Sequence, residues 1–277
     1  MHDPIALALA EDLGSGDVTA EFFVERRLGK ARLFAKEAAV AAGVETAAEV
    51  FRRVDSTTKT TIVRPSGSPL ETGDTVLEIE GPLPSLLSAE RVALNFLQHL
   101  SGIATLTARF VAAVAGTKAR ILDTRKTVPC LRSLEKAAVL SGGGTNHRMG
   151  LYDMAMVKDN HLATGTTPQQ LQAAIYRLRS ERPGVRVELE ADTLVQVAQF
   201  LELRDVDVIL LDNMPLEALL TAVDMTAKRS PNVLLEASGG VTLETVAAIA
   251  GTGVDFISVG ALTHSARAID FSMELLE

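Results

Sequence analysis

The stretch "VRVELEADTLVQVAQFLELRDVDVILLDN", Val185 to Asn213, decides the fold. Two β-branched, apolar runs, each turning polar at its C-terminal end, flank an amphipathic segment of helical period. That is the pattern of a parallel strand, a crossover helix and the next parallel strand. The unit recurs from residue 119 onward, with "ARILDT", "DMAMVKDN", "VRVELEAD", "VDVILLDN", "NVLLEASGG" and "VDFISVGA" as candidate strands. Their spacing is close to the roughly 30 residues of a βαβ unit. The polar ends carry Arg125 with Lys126, Lys158 with Asp159, Glu188 with Glu190, Asp212 with Asn213, Ser238 with Gly239, and Gly260. In a (β/α) barrel these are the positions from which functional groups project. Six strands predict an incomplete TIM-like barrel, and periodicity alone leaves an open doubly wound sheet as the rival.

The first part of the chain differs in kind. "KARLFAKEAAVAAGVETAAEVFRRV" reads as strand, turn and helix, and the Gly- and Pro-punctuated "KTTIVRPSGSPLETGDTVLEIEGP" as short antiparallel strands. A helical pattern then runs from about Ser85 to Val114, with Ser88 as its expected cap and Gly102 as its expected point of interruption. The expected organisation is an α/β domain over 1–104, the barrel over 105–265, and a segment over 266–277 returning to the first domain.

Composition narrows the function. The 277 residues carry 27 basic and 35 acidic side chains, a net charge of −8. A chain this acidic lacks the extended positive field of a general nucleic-acid or membrane-surface binder. An anionic partner must therefore meet a local cluster of cations. The single cysteine, Cys130, excludes an intrachain disulfide and a Cys-rich metal site. The opening "MHDPIALALAEDLG" has neither a basic leader nor a long apolar segment, so the expected compartment is the cytoplasm.

Taken singly, each strand-end cation reads as a solvated side chain. Their convergence changes that, because one barrel would bring Arg125, Lys126, His147, Arg148, Lys158 and His161 to a common mouth. Like charges there repel unless an anion neutralises them. Arg supplies a planar fork for carboxylate or phosphate, and Lys a compact charge. Ser238, Gly239 and Gly260 lie on the last two strands, the usual phosphate site of such barrels. Glu190 and Asp212 are carboxylates in a cationic mouth, suited to Mg²⁺ or to a developing positive carbon, with ordinary ion pairing as the alternative. These residue types point to a transferase joining an acidic small molecule to a phosphorylated sugar.

The run "DTRKTVPCLRSLEKAAVLSGGGTNHRMGLYDMAMVKDNH" resembles the signature of the quinolinate phosphoribosyltransferases, and "EDLGSGDVT", "SAERVALNFLQHLSGIAT", "VELEAD", "VILLDNM", "LEASGGV" and "VDFISVGALTHS" extend the resemblance along nearly the whole chain. It departs at Cys130, where the family often has Gly, and at Ala137, often an aromatic. The resemblance implies an N-terminal α/β sandwich followed by an incomplete α/β barrel. It also implies conversion of quinolinate and phosphoribosyl pyrophosphate, with Mg²⁺, to nicotinate mononucleotide, pyrophosphate and CO₂. By position, Arg125, His147, Arg148 and Lys158 resemble the quinolinate-binding group, with Lys126 at its junction with the phosphates. Glu190 and Asp212 match acids near the ribose and metal, and Ser238, Gly239 and Gly260 match phosphate positions. Arg91 matches an arginine contributed by a neighbouring subunit, which implies a homodimer or a higher oligomer. Two other readings compete: a Schiff-base lyase using Lys158, and an anion-binding paralogue of the same fold associated with molybdate transport.

Overall fold

The computed structural model describes residues 3–158 and 167–276, so Asp159 and His161 lie outside the described residues. Packing divides the chain into two units, one of residues 3–108, 126–143 and 261–276, the other of 109–125 and 144–260.

In the first unit α1 (Pro4–Leu13) and α2 (Val18–Phe23) each start on an aspartate, Asp3 and Asp17, whose carboxylate accepts from first-turn N–H groups. There follow β1 (Leu28–Ala35), β2 (Ala39–Val40), α3 (Val44–Val54), β3 (Lys59–Ile62), β4 (Pro69–Leu70) and β5 (Thr75–Pro82). The C-terminal strand β12 (Phe271–Leu276) pairs antiparallel with β1, completing a sheet of order β12-β1-β5-β3. Ala31, Leu33 and Ala35 alternate inward along β1, and α3 buries Ala47, Ala48, Val50 and Phe51.

Then α4 (Leu83–Ala113) runs unbroken for 31 residues. Two expectations are corrected here. Ser88 lies inside the helix, its hydroxyl donating to Asp17 at 2.7 Å rather than capping. Gly102 does not interrupt the helix: a Cβ there would stand 2.2 Å from the Arg267 carbonyl oxygen, so glycine serves a close chain crossing. The helix α5 (Arg132–Ser141) also packs in this unit, where Gly142 meets Ala104 and Thr107 of α4. That packing is why residues 126–143 leave the 105–265 range expected for the barrel. The short α10 (Ala261–His264) completes the unit's helices among the described residues.

The second unit holds β6 (Arg120–Leu122), β7 (Met154–Val157), β8 (Arg186–Ala191), β9 (Val208–Asp212), β10 (Leu234–Ser238) and β11 (Phe256–Ser258), the six strands expected from sequence. Between them lie α6 (Pro168–Glu181), α7 (Leu194–Phe200), α8 (Leu216–Arg229) and α9 (Val246–Gly251). All the pairings are parallel, in the order β6-β11-β10-β9-β8-β7. From β7 to β11 each crossover steps to the next neighbour in one direction, and β11 then pairs with β6. A doubly wound sheet would reverse at a switch point, so the order is that of a barrel open between β6 and β7. Thr145 bridges to Leu122 in parallel beside that opening. The alternation is an α/β sandwich followed by an incomplete TIM-like barrel.

Candidate active site

Glu190 is the next-to-last residue of β8, 7% exposed. The chain turns immediately after it, because Thr193 and Gln196 form a capping box that starts α7. Lys158, just past the end of β7, donates its Nζ to Glu190 Oε2. Asp212 ends β9 and accepts from Asn213 Nδ2 at 2.9 Å. Asn213 has a left-handed backbone, φ 51, and donates its N–H to the Ser238 carbonyl at 2.9 Å. Gly239 then has φ +95, and a Cβ there would stand 2.2 Å from Asn213 Oδ1. Only glycine fits both that backbone and that contact. Glu190, Asp212 and Ser238 thus sit at the C-terminal ends of the consecutive strands β8, β9 and β10, with half-buried Gly260 beyond β11.

Arg125 is exposed beyond β6. Lys126 and Arg91 belong to the first unit, Arg91 exposed on α4. The loop of Lys126 is held at two points: its carbonyl accepts from Thr263 Oγ1 at 2.8 Å, and the Val128 N–H donates to Glu135 Oε2 at 3.2 Å. Glu135 is fully buried on α5 and meets His99 Nε2 of α4 through its other oxygen at 2.8 Å. In this loop Cys130 has φ 67, the left-handed region that glycine enters without strain. The departure at Ala137 falls on an exposed position of α5.

A second cluster lies deeper in the barrel. The His147 ring, 6% exposed, sets Nε2 3.2 Å from Glu188 Oε2 and 3.4 Å from Glu236 Oε2. Its backbone N–H donates to the buried Asp123 at 2.8 Å. Arg148 donates through Nη1 to the Met154 carbonyl at 3.1 Å, while its buried Nε has no hydrogen-bond partner among the described residues. Burial, and then the positive charge of Arg125, hold the Arg148 guanidinium below the usual arginine value, with Glu188 and Asp153 opposing. His147, Arg148, Glu188 and Glu236 face a cavity of about 270 Å³, also lined by Arg120 and Arg186. Arg120, Met154, Arg186, Val208 and Phe256 are the first residues of their strands, so this cavity occupies the N-terminal half of the barrel. Lys158, Glu190, Asp212, Ser238 and Gly260 do not line it.

Glu188 therefore corrects the expectation that pairs it with Glu190 at a strand end: it is mid-strand and fully buried. Burial above all pushes its carboxyl up to about 6, the charge of Glu236 adding and His147 opposing. Burial presses the His147 ring down, but contacts with Glu188 and Glu236 outweigh it and bring the ring to about 9. On its other side the ring lies against the Arg148 backbone, whose N–H is 2.7 Å from Nδ1.

Models of the quinolinate phosphoribosyl transferase N-terminal and C-terminal domains match residues 17–101 and 103–274. The chain belongs to the quinolinate phosphoribosyltransferase family. It is 43% identical over 279 residues to the nicotinate-nucleotide pyrophosphorylase [carboxylating] of Mycobacterium leprae, covering 99% of this chain and 96% of that one. The crystal structure of NadC from Streptococcus pyogenes superposes with a TM-score of 0.90 at 41% identity, over 99% of this chain and 96% of that one. The nicotinate-nucleotide pyrophosphorylase from Francisella tularensis gives the same TM-score at 35% identity, over 98% of this chain and 94% of that one.

Within this family fold, Asp123 and Glu236 are buried polar residues that strand-end reasoning missed, and Glu188 is one that it put at the strand end. The signal was in the strands themselves: Glu188 and Glu190, and Glu236 and Ser238, are i, i+2 pairs on one face, giving two inward layers rather than one.

Proposed function

We propose that the protein is a carboxylating nicotinate-nucleotide pyrophosphorylase, which joins quinolinate to phosphoribosyl pyrophosphate and releases pyrophosphate and CO₂ to give nicotinate mononucleotide in de novo NAD synthesis. Arg148 carries the reading. A guanidinium depressed by burial and by Arg125, with a buried Nε–H lacking a partner among the described residues, is a donor that an incoming carboxylate satisfies. Quinolinate offers two carboxylates, and Arg125, Lys158 and His147 complete the cationic group assigned to it. Lys126 follows Arg125 directly in the chain and meets the phosphates. Ser238, Gly239 and Gly260 take the 5′-phosphate.

Departure of pyrophosphate leaves positive character on the ribose C1, which the carboxylates of Glu190 and Asp212 stabilise. The pyridine nitrogen attacks that carbon and becomes a pyridinium; CO₂ then departs from the adjacent ring carbon, the electron pair left there is stabilised by the neighbouring positive nitrogen, and a proton from water completes the C–H bond of the product. The chain's residues orient two anions and form no covalent intermediate. Glu190 and Asp212 are hard oxygen donors on adjacent strands, a set suited to Mg²⁺ shared with substrate phosphates. Held by these two carboxylates, Mg²⁺ would supply positive charge to offset that of the leaving pyrophosphate. Arg91, exposed on α4, reaches the neighbouring active site of a homodimer, and the compartment is the cytoplasm. The lyase reading is disfavoured because Lys158 is ion-paired with Glu190, and an ion-paired ammonium is not a nucleophile.

The test is nicotinate mononucleotide formation with each component omitted in turn. Product should require quinolinate, phosphoribosyl pyrophosphate and Mg²⁺, should cease with EDTA, and should not form when nicotinate replaces quinolinate. Arg148→Ala should raise the quinolinate KM by about 10- to 100-fold. No product from folded protein, or trapping of substrate on Lys158 by borohydride, would overturn the proposal.

A further inference from the structure

Lys126 stands in an exposed loop, where Val128, Pro129 and Cys130 are also open to solvent. Exposed loops are ordinarily mobile, and a lysine on a mobile loop reaches its partner only at an entropic cost. Here three consecutive residues are each held by a side chain from a helix of the same unit. The Lys126 carbonyl accepts from Thr263 Oγ1 at 2.8 Å, Thr127 Oγ1 accepts from Arg132 Nε at 3.0 Å, and the Val128 N–H donates to Glu135 Oε2 at 3.2 Å. The Leu131 N–H then closes a turn on the Val128 carbonyl at 3.1 Å and leads the chain into α5.

Two of the anchors are themselves fixed by burial. Thr263 is 2% exposed on α10, and Glu135 is fully buried, with His99 Nε2 of α4 2.8 Å from its other oxygen. A buried carboxylate is costly unless its oxygens are used, and these two are used, one toward α4 and one on the loop. The bonds from Thr263 and Arg132 fall upstream of the turn that starts α5, on Lys126 and Thr127 themselves, so they hold the lysine rather than the helix. We propose that Thr263, Arg132 and Glu135 are positioning residues for phosphoribosyl pyrophosphate: by fixing the backbone of residues 126–128 they set the origin from which the Lys126 ammonium reaches the phosphates. A lysine carries its compact charge on a flexible stem, so a fixed origin narrows where that charge stands. The proposal rests on the assignment of Lys126 to the phosphates made above.

The experiment is steady-state kinetics, with both substrates varied, on Thr263→Val, Thr263→Ser, Thr127→Val, Lys126→Ala and each valine change combined with Lys126→Ala. Nicotinate mononucleotide is accumulated at high enzyme concentration, so that slow variants are read. Valine keeps the branched shape and removes the hydroxyl. Thr263→Val should lower kcat/KM for phosphoribosyl pyrophosphate about tenfold or more, and Thr127→Val severalfold, while the quinolinate KM stays within about twofold. Thr263→Ser, which restores the hydroxyl, should recover most of the loss. In the Lys126→Ala background each valine change should matter less than about twofold, because no ammonium is left to place. A general loss of structure would repeat there, so equal effects with and without the lysine overturn the proposal, as do wild-type kinetics in both valine variants. In either case a Lys126→Ala defect leaves the functional assignment standing. A harmless Lys126→Ala overturns the assignment of Lys126, and with it the proposal. Should Thr263→Val fail to fold, Thr127→Val, at a half-buried position, carries the same comparison.

Discussion

Replacing Gly239 by alanine tests how the loop after β10 is built. The residue has φ +95, and its new Cβ would enter within 2.2 Å of Asn213 Oδ1 and 2.4 Å of Cγ. The left-handed backbone alone costs about 1–2 kcal/mol for a residue with a Cβ. The Asn213 amide must also swing away and give up its 2.9 Å bond to Asp212, worth about 1–2 kcal/mol at this partly exposed position. The sum is about 2–4 kcal/mol, a fall of about 5–15 °C in Tm for a chain of this size. Gly240 supplies the control. Its φ is +58 with open space around the position, so Gly240→Ala should cost only the backbone part, about 1 kcal/mol and a few degrees. Thermal unfolding separates the two variants, and kinetics give the functional half. Gly239→Ala should raise the phosphoribosyl pyrophosphate KM about tenfold while leaving that for quinolinate near wild type. If the two alanine variants lose equal stability, Asn213 is not what the glycine accommodates and the reasoning fails.

Three further outcomes are expected. Cys130→Gly should raise Tm by about 2–4 °C, because glycine relieves about 1 kcal/mol of strain at φ 67; an unchanged or lower Tm would count against it. Lys158→Met should cut kcat/KM at least about 100-fold in a protein that still folds, since it removes a cation from the site and leaves Glu190 without its ion-pair partner, and activity within tenfold of wild type would contradict the role given to that pair. Glu135→Leu should destabilise by about 2–3 kcal/mol and lower kcat, because the Val128 N–H and His99 lose their common acceptor and the loop of Lys126 loosens; unaltered kcat in the folded variant would show that the loop needs no such support.

The barrel was legible because its strands are apolar until their last residues, and a polar residue ending such a run stands out. Glu190, Asp212 and Ser238 are visible for that reason. Glu236 is not, because it sits inside "LLEAS", where a single glutamate among apolar residues reads as a variation in a buried strand. Glu188 was seen but put at the wrong height, since strand periodicity gives the face of the sheet and not the depth along it. The interruption of the second unit by residues 126–143 was invisible for a different reason. It depends on where Gly142 and Glu135 touch α4, and those contacts join positions some 36 residues apart. Cys130 is the reverse case: a family position often occupied by glycine became intelligible only when its φ was known.

The two layers of the barrel divide the work. At the C-terminal rim, Lys158 holds the buried Glu190 and Asn213 the half-buried Asp212, in hydrogen bonds that a substrate bringing its own phosphates would exchange. One layer down, Glu188 and Glu236 are closed off with His147 between them, where a carboxylate serves architecture better than chemistry. Arg148 belongs to both layers, its backbone amide donating to the His147 ring and its buried Nε without a partner among the described residues, so a substrate carboxylate arriving at that guanidinium is met from the buried layer while the sugar phosphates are met at the rim.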